Sequence, residues 1–136
     1  MNQKETKARD AFRSRAEGKI NIELIENQQS SSTPDAICIN RRGSVFWLEF
    51  KALDKWPVKA ATCPLKNSFE RGQIPKLKEW VSWNGLAFVL LKVSDEFYLL
   101  HPKSDVDLTM MTQENISIFC VASGLGNVVT YLENIQ

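Results

Sequence analysis

The feature that most constrains the fold is a short apolar run near the middle of the chain. It reads LAFVLLKV, spans residues 86–93, and lies between the turn signals Asn84-Gly85 and Ser94-Asp95. A strand with one face in water alternates apolar and polar residues, whereas a near-continuous run is typical of a strand covered on both faces. A sheet covered on both faces needs packed elements on each side. The run therefore predicts a layered α/β domain.

Length and composition agree with a single domain. The chain has 136 residues, of which 43% are hydrophobic, which is enough for a core and too much for a disordered chain. No apolar run approaches the ~20 residues that cross a bilayer. The polar N-terminal sequence lacks the apolar region of a signal peptide. We therefore expect a cytoplasmic protein without a membrane partner. Three cysteines and one histidine, His101, do not match a disulfide framework or a structural zinc site.

The order of predicted elements indicates a mixed sheet with helices against it. A helix over the first ~17 residues is followed by three strands, a helix, and two more strands. The strands are expected at 19–27, 35–40, 44–52, 86–93 and 96–102, with a loop at 28–32. We expect one domain over 1–136, with a core of about 5–101 and an extension, 102–136, of undetermined role. In the extension, 105–113 is expected to be helical and 116–122 to be a short strand.

The predicted second helix contains a proline. Ser68 could cap a helix that Asn84-Gly85 would end. Pro75 lies inside that range and removes a backbone donor. Two alternatives remain open: either the helix begins near Ile74, with Pro75 in its first turn, or it kinks at the proline.

Charged residues interrupt the best predicted hairpin, which reads TPDAICINRRGSVFWLEFKA over residues 33–52. Side chains alternate along a strand, so Glu49 and Lys51 share one face. The opposite face carries Phe46, Leu48 and Phe50 and is the expected core face. The pattern thus places a carboxylate and an amine side by side on the second face of a central strand.

The loop between the two strands decides where Asp35 lies. A three-residue loop from Asn40 to Ser44, with Gly43 in the left-handed conformation, would place Asp35 opposite Glu49. A two-residue loop would place the carboxylates on opposite faces. Facing carboxylates are destabilising unless a cation lies between them. That cation could be Lys51 or a hard divalent metal, which generates a hydroxide nucleophile and neutralises charge on a phosphate.

The charge distribution bears on the choice between a site and an ordinary surface. An isolated Glu-x-Lys is most often a solvent-facing pair on an amphipathic strand. Residues 1–79, however, hold 15 Lys and Arg against 10 Asp and Glu, whereas residues 80–136 hold 2 against 6. A basic surround is typical of a protein that binds a polyanion. Together with the hairpin, it favours a site that cleaves phosphodiester bonds.

The pattern STPDAICINRRGSVFWLEFK resembles the Pro-Asp…Glu-x-Lys signature of the PD-(D/E)XK nuclease superfamily. The later segment PLKNSFERGQIPKLKEWVSWNGLAFVLLKV is similar to the corresponding part of phage-type VRR-NUC nucleases and RecU-like Holliday-junction resolvases. The resemblance implies a restriction-endonuclease-like core that binds Mg²⁺ or Mn²⁺. It implies metal ligation by Asp35, Glu49 and the Phe50 backbone carbonyl, with Lys51 as the catalytic lysine and Gln73 as an assisting group.

Members of these families also carry a glutamate in the first helix. Glu5 lies at the appropriate distance before the first strand; Asp10 is the alternative, and Glu17 is too close to the strand. The resemblance thus implies that Glu5 joins the catalytic and metal-binding set. A first-turn carboxylate that only stabilises its helix is the other interpretation.

The resemblance also implies a function, partners and a substrate class. The expected activity is metal-dependent endonucleolytic cleavage of DNA, with branched or Holliday-junction DNA as the expected substrate, by a homodimer encoded by a phage and acting in a bacterial host. The alternatives are a site-specific homing or restriction-like endonuclease, a flap or single-strand nuclease, and a catalytically silent DNA-binding module. Phosphate or base contacts are expected from a set of exposed basic and aromatic residues: Lys55, Trp56, Lys59, Lys66, Arg71 and Lys76.

Overall fold

The computed structural model of the chain describes residues 1–26, 32–103 and 105–136. Most of the loop predicted at 28–32 lies outside the described residues. The described chain folds as four α-helices and six β-strands: α1 Gln3–Ala16, β1 Ile20–Leu24, β2 Ala36–Asn40, β3 Val45–Leu53, α2 Gln73–Ser82, β4 Leu86–Val93, β5 Glu96–Leu100, α3 Gln113–Phe119, β6 Ala122–Ser123 and α4 Leu125–Asn134. No helix of these described segments is long and apolar enough to cross a membrane.

The six strands form one mixed sheet, in the order β1-β2-β3-β4-β5-β6. β3 and β4 run parallel, and the other neighbouring pairs run antiparallel. Parallel neighbours need a crossover connection, which here contains α2. The predicted mixed sheet flanked by helices is therefore confirmed.

The sheet is covered on both faces by apolar residues. Phe88 and Leu90 of β4 point into one core, which α1 and α4 cover. Val89 and Leu91 point into a second core on the other face. All four are at most 2% exposed. The apolar run that predicted a central strand is explained by this double burial.

The second helix begins later than Ser68. Its first residue is Gln73, and its N-cap is Gly72, which has a left-handed φ of 88°. Pro75 lies in the first turn, where its missing donor costs nothing, so the first of the two alternatives is confirmed. Ser68 as the cap was wrong, because its hydroxyl donates instead to Pro64 O at 3.4 Å. Trp80 fixes the helix against the sheet, because its ring stacks on that of Trp47 in β3 and its Nε1 donates to Leu86 O at 3.1 Å.

The two predictions for the C-terminal region were wrong. A single 3₁₀ turn, Leu108–Met110, occupies the stretch where a helix was expected. The expected strand is mostly α3, because a reciprocal capping pair formed by Thr112 and Asn115 starts a helix there. Beyond it, α4 buries its apolar face in the core under α1. The region after residue 101 therefore contributes to the packing of both sheet faces.

Candidate active site

A three-residue loop closes the β2–β3 hairpin. Asn40 N donates to Ser44 O at 3.2 Å, and Gly43 N donates to Asn40 O at 3.0 Å. Gly43 has a φ of 83°, in the left-handed region that the predicted turn requires. The Asn40 side chain accepts from the Ser44 backbone N–H and holds the loop from inside. The two-residue alternative is excluded by this geometry.

The register then places two carboxylates face to face. The last pair of the ladder is Ala36 opposite Leu48, so one step further Asp35 faces Glu49, as predicted. Asp35 Oδ2 accepts from the backbone N–H of Phe50 at 2.9 Å. This bond fixes the Asp35 carboxylate at the level of Glu49 and couples it to the central strand.

Burial makes Glu49 an unusual carboxylic acid. Its side chain points into the second face of the sheet, and the residue is 2% exposed. Desolvation, followed by repulsion from Asp35, raises the pKa of Glu49 to about 9, although Lys51 acts in the opposite direction. With Lys51 as the neighbouring cation and no metal ion present, Glu49 therefore favours the protonated form at neutral pH. A divalent cation would reverse this preference.

Gln73 joins the lysine to the glutamate. Lys51 Nζ donates to Gln73 Oε1 at 3.1 Å, and Gln73 Nε2 donates to Glu49 Oε1 at 3.0 Å. The Glu70 backbone N–H also donates to Gln73 Oε1, at 2.8 Å, which fixes the orientation of the amide. Lys51 and Gln73 are 4% and 6% exposed. The first residue of α2 is thus a buried bridge across the predicted site.

Glu5 reaches the same cluster from α1. Its Oε1 lies 3.7 Å from Lys51 Nζ. Its Oε2 accepts from the Asn2 backbone N–H at 3.3 Å and so closes a capping box at the helix start. Glu5 therefore fits both interpretations: its Oε2 stabilises the start of the helix, and its Oε1 faces the site. Asp10, the alternative, pairs with Arg9.

These residues line a cleft of about 810 Å³. The lining residues are Met1, Asn2, Glu5, Arg9, Leu24, Ile25, Glu26, Thr33, Pro34, Asp35, Glu49, Lys51, Ser68, Glu70 and Gln73. The lining is rich in carboxylates and amides, unlike the apolar pocket that binds a drug-sized molecule. Its shape and polarity suit a charged substrate that enters from solvent.

The residues predicted to contact DNA lie outside this lining. Five of them are exposed on the surface: Lys55, Lys59, Lys66, Arg71 and Lys76. Trp56 is half-buried, since its Nε1 donates to Glu96 at 2.9 Å and its ring packs edge-on against Tyr98. Its role in DNA contact stays a prediction, as do those of the five basic residues.

The donor set fits a hard divalent cation. Asp35 and Glu49 supply two facing carboxylates, and Mg²⁺ is usually held by one or two carboxylates together with waters and substrate phosphates. In the described parts of the chain, no group of three or more His, Cys, Asp or Glu side chains is placed to hold a metal ion. Two facing carboxylates by themselves leave positions on such an ion open for water and substrate oxygens. Ligation by Glu5 and by the Phe50 carbonyl remains a prediction.

Two residues near the cluster escaped sequence reasoning. The Phe69 ring lies 5.0 Å from Lys51 Nζ and covers the lysine on one side. No pattern in the sequence indicated this contact. Arg9 lines the cleft one helical turn after Glu5. A helical spacing of four does place Arg9 beside Glu5, so its position could have been predicted once Glu5 was chosen.

No protein-family model and no curated protein sequence matches the chain. Among solved structures, the chain is similar to Hjc, a Holliday junction resolvase of the archaeal hyperthermophile Archaeoglobus fulgidus, with a TM-score of 0.59 and 12% identity over 90% of this chain and 96% of that one. It is also similar to a VRR_NUC domain, with a TM-score of 0.49 and 17% identity over 68% of this chain and 88% of that one. The likeness to Hjc shows that the chain has the predicted restriction-endonuclease-like α/β fold.

Proposed function

We propose that the protein is an Mg²⁺- or Mn²⁺-dependent endonuclease that hydrolyses DNA phosphodiester bonds. One observation carries the proposal: the half-buried Asp35 carboxylate faces the buried Glu49 carboxylate, and Glu49 meets Lys51 and Gln73 at the wall of an open cleft. Facing carboxylates are destabilising by themselves, and Glu49 lies on β3, a strand whose opposite face builds the core. A site that binds a cation and a phosphate explains the arrangement.

Each residue has a distinct part in the proposed reaction. Asp35 and Glu49 would hold the divalent ion, which when bound activates water and neutralises charge on the phosphate. Lys51 donates hydrogen bonds to the attacking water or to the phosphate oxygens as charge develops. Gln73 holds Lys51 and Glu49 in register through its two amide atoms. Glu5 stabilises the Lys51 ammonium from the opposite side.

We further propose that the substrate is branched DNA, with Holliday junctions as the leading candidate. The fold shared with a protein described as a Holliday junction resolvase supports this choice. Symmetric cleavage of a junction needs two active sites, so the proposed active form is a homodimer. The exposed basic residues Lys55, Lys59 and Lys66 would follow the DNA backbone, and the protein would act inside the cell, where its substrate is found.

The test compares several DNA substrates under defined metal conditions. Labelled four-way junction, flap, single-stranded and plain duplex DNA are incubated with Mg²⁺, Mn²⁺ or EDTA. Glu49→Ala should abolish cleavage, whereas Glu23→Ala, an exposed acid on β1, should leave it unchanged. Absence of metal-dependent cleavage on every substrate would leave a DNA-binding module. Cleavage of one duplex sequence but of no junction would favour a homing- or restriction-like endonuclease.

A further inference from the structure

We propose that Arg9 binds a backbone phosphate of the substrate inside the cleft, beside the phosphate that is cleaved. The inference rests on the proposed nuclease function and deepens it, because it names the group that positions the DNA strand. Arg9 lies on α1, one turn after Glu5, and lines the same cleft.

The charge balance of the cleft calls for such a cation. Five lining residues are acidic: Glu5, Glu26, Asp35, Glu49 and Glu70. Two of the described lining residues, Lys51 and Arg9, have cationic side chains. A DNA strand carries one negative charge per nucleotide, and its affinity for a protein depends on the phosphates that cations neutralise. The proposed metal ion compensates the carboxylates near the scissile bond, but a neighbouring phosphate needs its own partner.

The Lys51 ammonium already has partners within the catalytic cluster. Lys51 is 4% exposed, donates to Gln73 at 3.1 Å, and lies within 3.8 Å of both Glu5 and Glu49. Moving it to a second phosphate would break this cluster. Among the described side chains that line the cleft, Arg9 is therefore the cation that can meet a phosphate next to the scissile one.

The Arg9 geometry suits that task. Its side chain is 24% exposed, and its Nε and one terminal nitrogen contact a single oxygen of Asp10, at 3.0 and 2.9 Å. The Asp10 side chain is 56% exposed, and ion pairs with a solvated partner contribute little. A guanidinium has five donors in a planar fork that matches two phosphate oxygens, so Arg9 can bind a phosphate in bidentate fashion. Buried Ala8 and Phe12 hold this part of α1 against the sheet, so the position is rigid.

The competing explanation is that Arg9 only stabilises the middle of α1 through its ion pair with Asp10. The two roles differ in what removing the guanidinium does to DNA binding. A phosphate contact predicts weaker affinity and a smaller salt dependence, whereas a helix role predicts a lower melting temperature and unchanged salt dependence.

The experiment measures binding of labelled four-way junction and duplex DNA by fluorescence anisotropy, in Ca²⁺ or EDTA and at several salt concentrations. Arg9→Gln keeps the side-chain stem for packing, and Arg13→Ala removes an exposed charge from the same helix as a matched control. We expect Arg9→Gln to weaken binding about 10-fold, in line with one charged hydrogen-bonded contact. The slope of log K against log salt should fall by about 0.9.

A second arm identifies the phosphate. Neutral methylphosphonate groups are placed one at a time around the cleavage position. Wild type should lose affinity at one position at which Arg9→Gln loses none. If Arg9→Gln matches Arg13→Ala in affinity and slope, or if no position shows this pattern, the inference is wrong. Wild type that binds DNA with this pattern but never cleaves it would instead overturn the nuclease proposal alone.

Discussion

Replacing Glu49 by Gln should stabilise the protein while it abolishes cleavage. The amide oxygen of Gln can accept from Gln73 Nε2 as the carboxylate does at 3.0 Å. The amide nitrogen can donate to Asp35 at any pH, whereas the Glu49 carboxyl can do so only while it holds a proton. The substitution is almost isosteric, so packing changes little.

The magnitude follows from the pKa of Glu49, which burial and Asp35 raise to about 9. A raised pKa means that the folded state binds the proton more tightly than the unfolded state. The contribution of the bound proton to stability is therefore fully present below pH ~4.5, near the ordinary pKa of glutamate, and is lost as the pH rises towards 9. One proton changes the free energy of unfolding by at most about 1.4 kcal/mol per pH unit. Between pH 5 and 8 the upper limit is about 4 kcal/mol, and water in the open cleft reduces the expected loss to about 1–3 kcal/mol.

The assay is urea unfolding of wild type and Glu49→Gln at pH 5 and pH 8, in EDTA. Wild type should lose stability between these values, and the variant should lose about 1–3 kcal/mol less. Adding Mg²⁺ at 100 times its Kd should restore about 2.7 kcal/mol to wild type and nothing to the variant. Glu23→Gln, the same chemical change at an exposed position on β1, serves as the control.

Two results would refute this reasoning. The first is a wild-type stability in EDTA that does not fall between pH 5 and 8 relative to Glu49→Gln. The second is a Glu23→Gln protein that shows the same flattened pH dependence. The first result would mean that Glu49 is solvated and that the facing pair carries no strain for a metal to relieve, and the second that the pH dependence does not come from Glu49.

Three further predictions follow from other contacts. Gln73→Leu should reduce kcat at saturating DNA by about 10- to 100-fold, because Lys51 and Glu49 lose their common partner. DNA affinity should not fall. Single-turnover cleavage measures the first effect, and fluorescence anisotropy measures the second. Asn40→Ala should lower the free energy of unfolding by about 2–4 kcal/mol. The Asn40 side chain donates to the Leu132 and Ile135 carbonyls and accepts hydrogen bonds from two loop N–H groups, all of which the variant loses. A variant as stable as wild type in urea unfolding would contradict this. Gly85→Ala should cost about 1–3 kcal/mol, since the new Cβ would lie 2.4 Å from Trp80 Nε1; an unchanged melting temperature would show that Trp80 can move.

The hairpin was predictable because its signals are local. Gly43 indicated a three-residue loop. The alternation of side chains along each strand then assigned every residue between the loop and Asp35 or Glu49 to one face of the sheet. Glu5 required a second step, since three acidic residues were available. Helical spacing favours it, because Glu5 lies three residues before Ala8 and seven before Phe12, both buried. Its side chain therefore lies along the packed face of α1.

The errors arose where local signals compete with packing. Ser68 is a good cap by type, yet the chain turns into the helix only at Gly72, where the left-handed φ is available. Residues 116–122 are rich in Ile, Val and Phe and were predicted as a strand. The cap formed by Thr112 and Asn115 overrides that preference. The resulting helix, α3, places Ile116 in the second core and leaves Ile118 63% exposed.

The two faces of β3 have different roles, which explains how the fold accommodates a polar site on a central strand. Phe46, Leu48 and Phe50 are fully buried in the core under α1 and α4, so one face of the strand secures its position. The other face is then free to carry Glu49 and Lys51 without loss of register. Since β4 supplies apolar side chains to both cores and carries no buried charge, the sheet centre remains stable beside the polar cluster. A charge placed on the first face of β3 would have no such support, and the two carboxylates occur on the face that opens to the cleft.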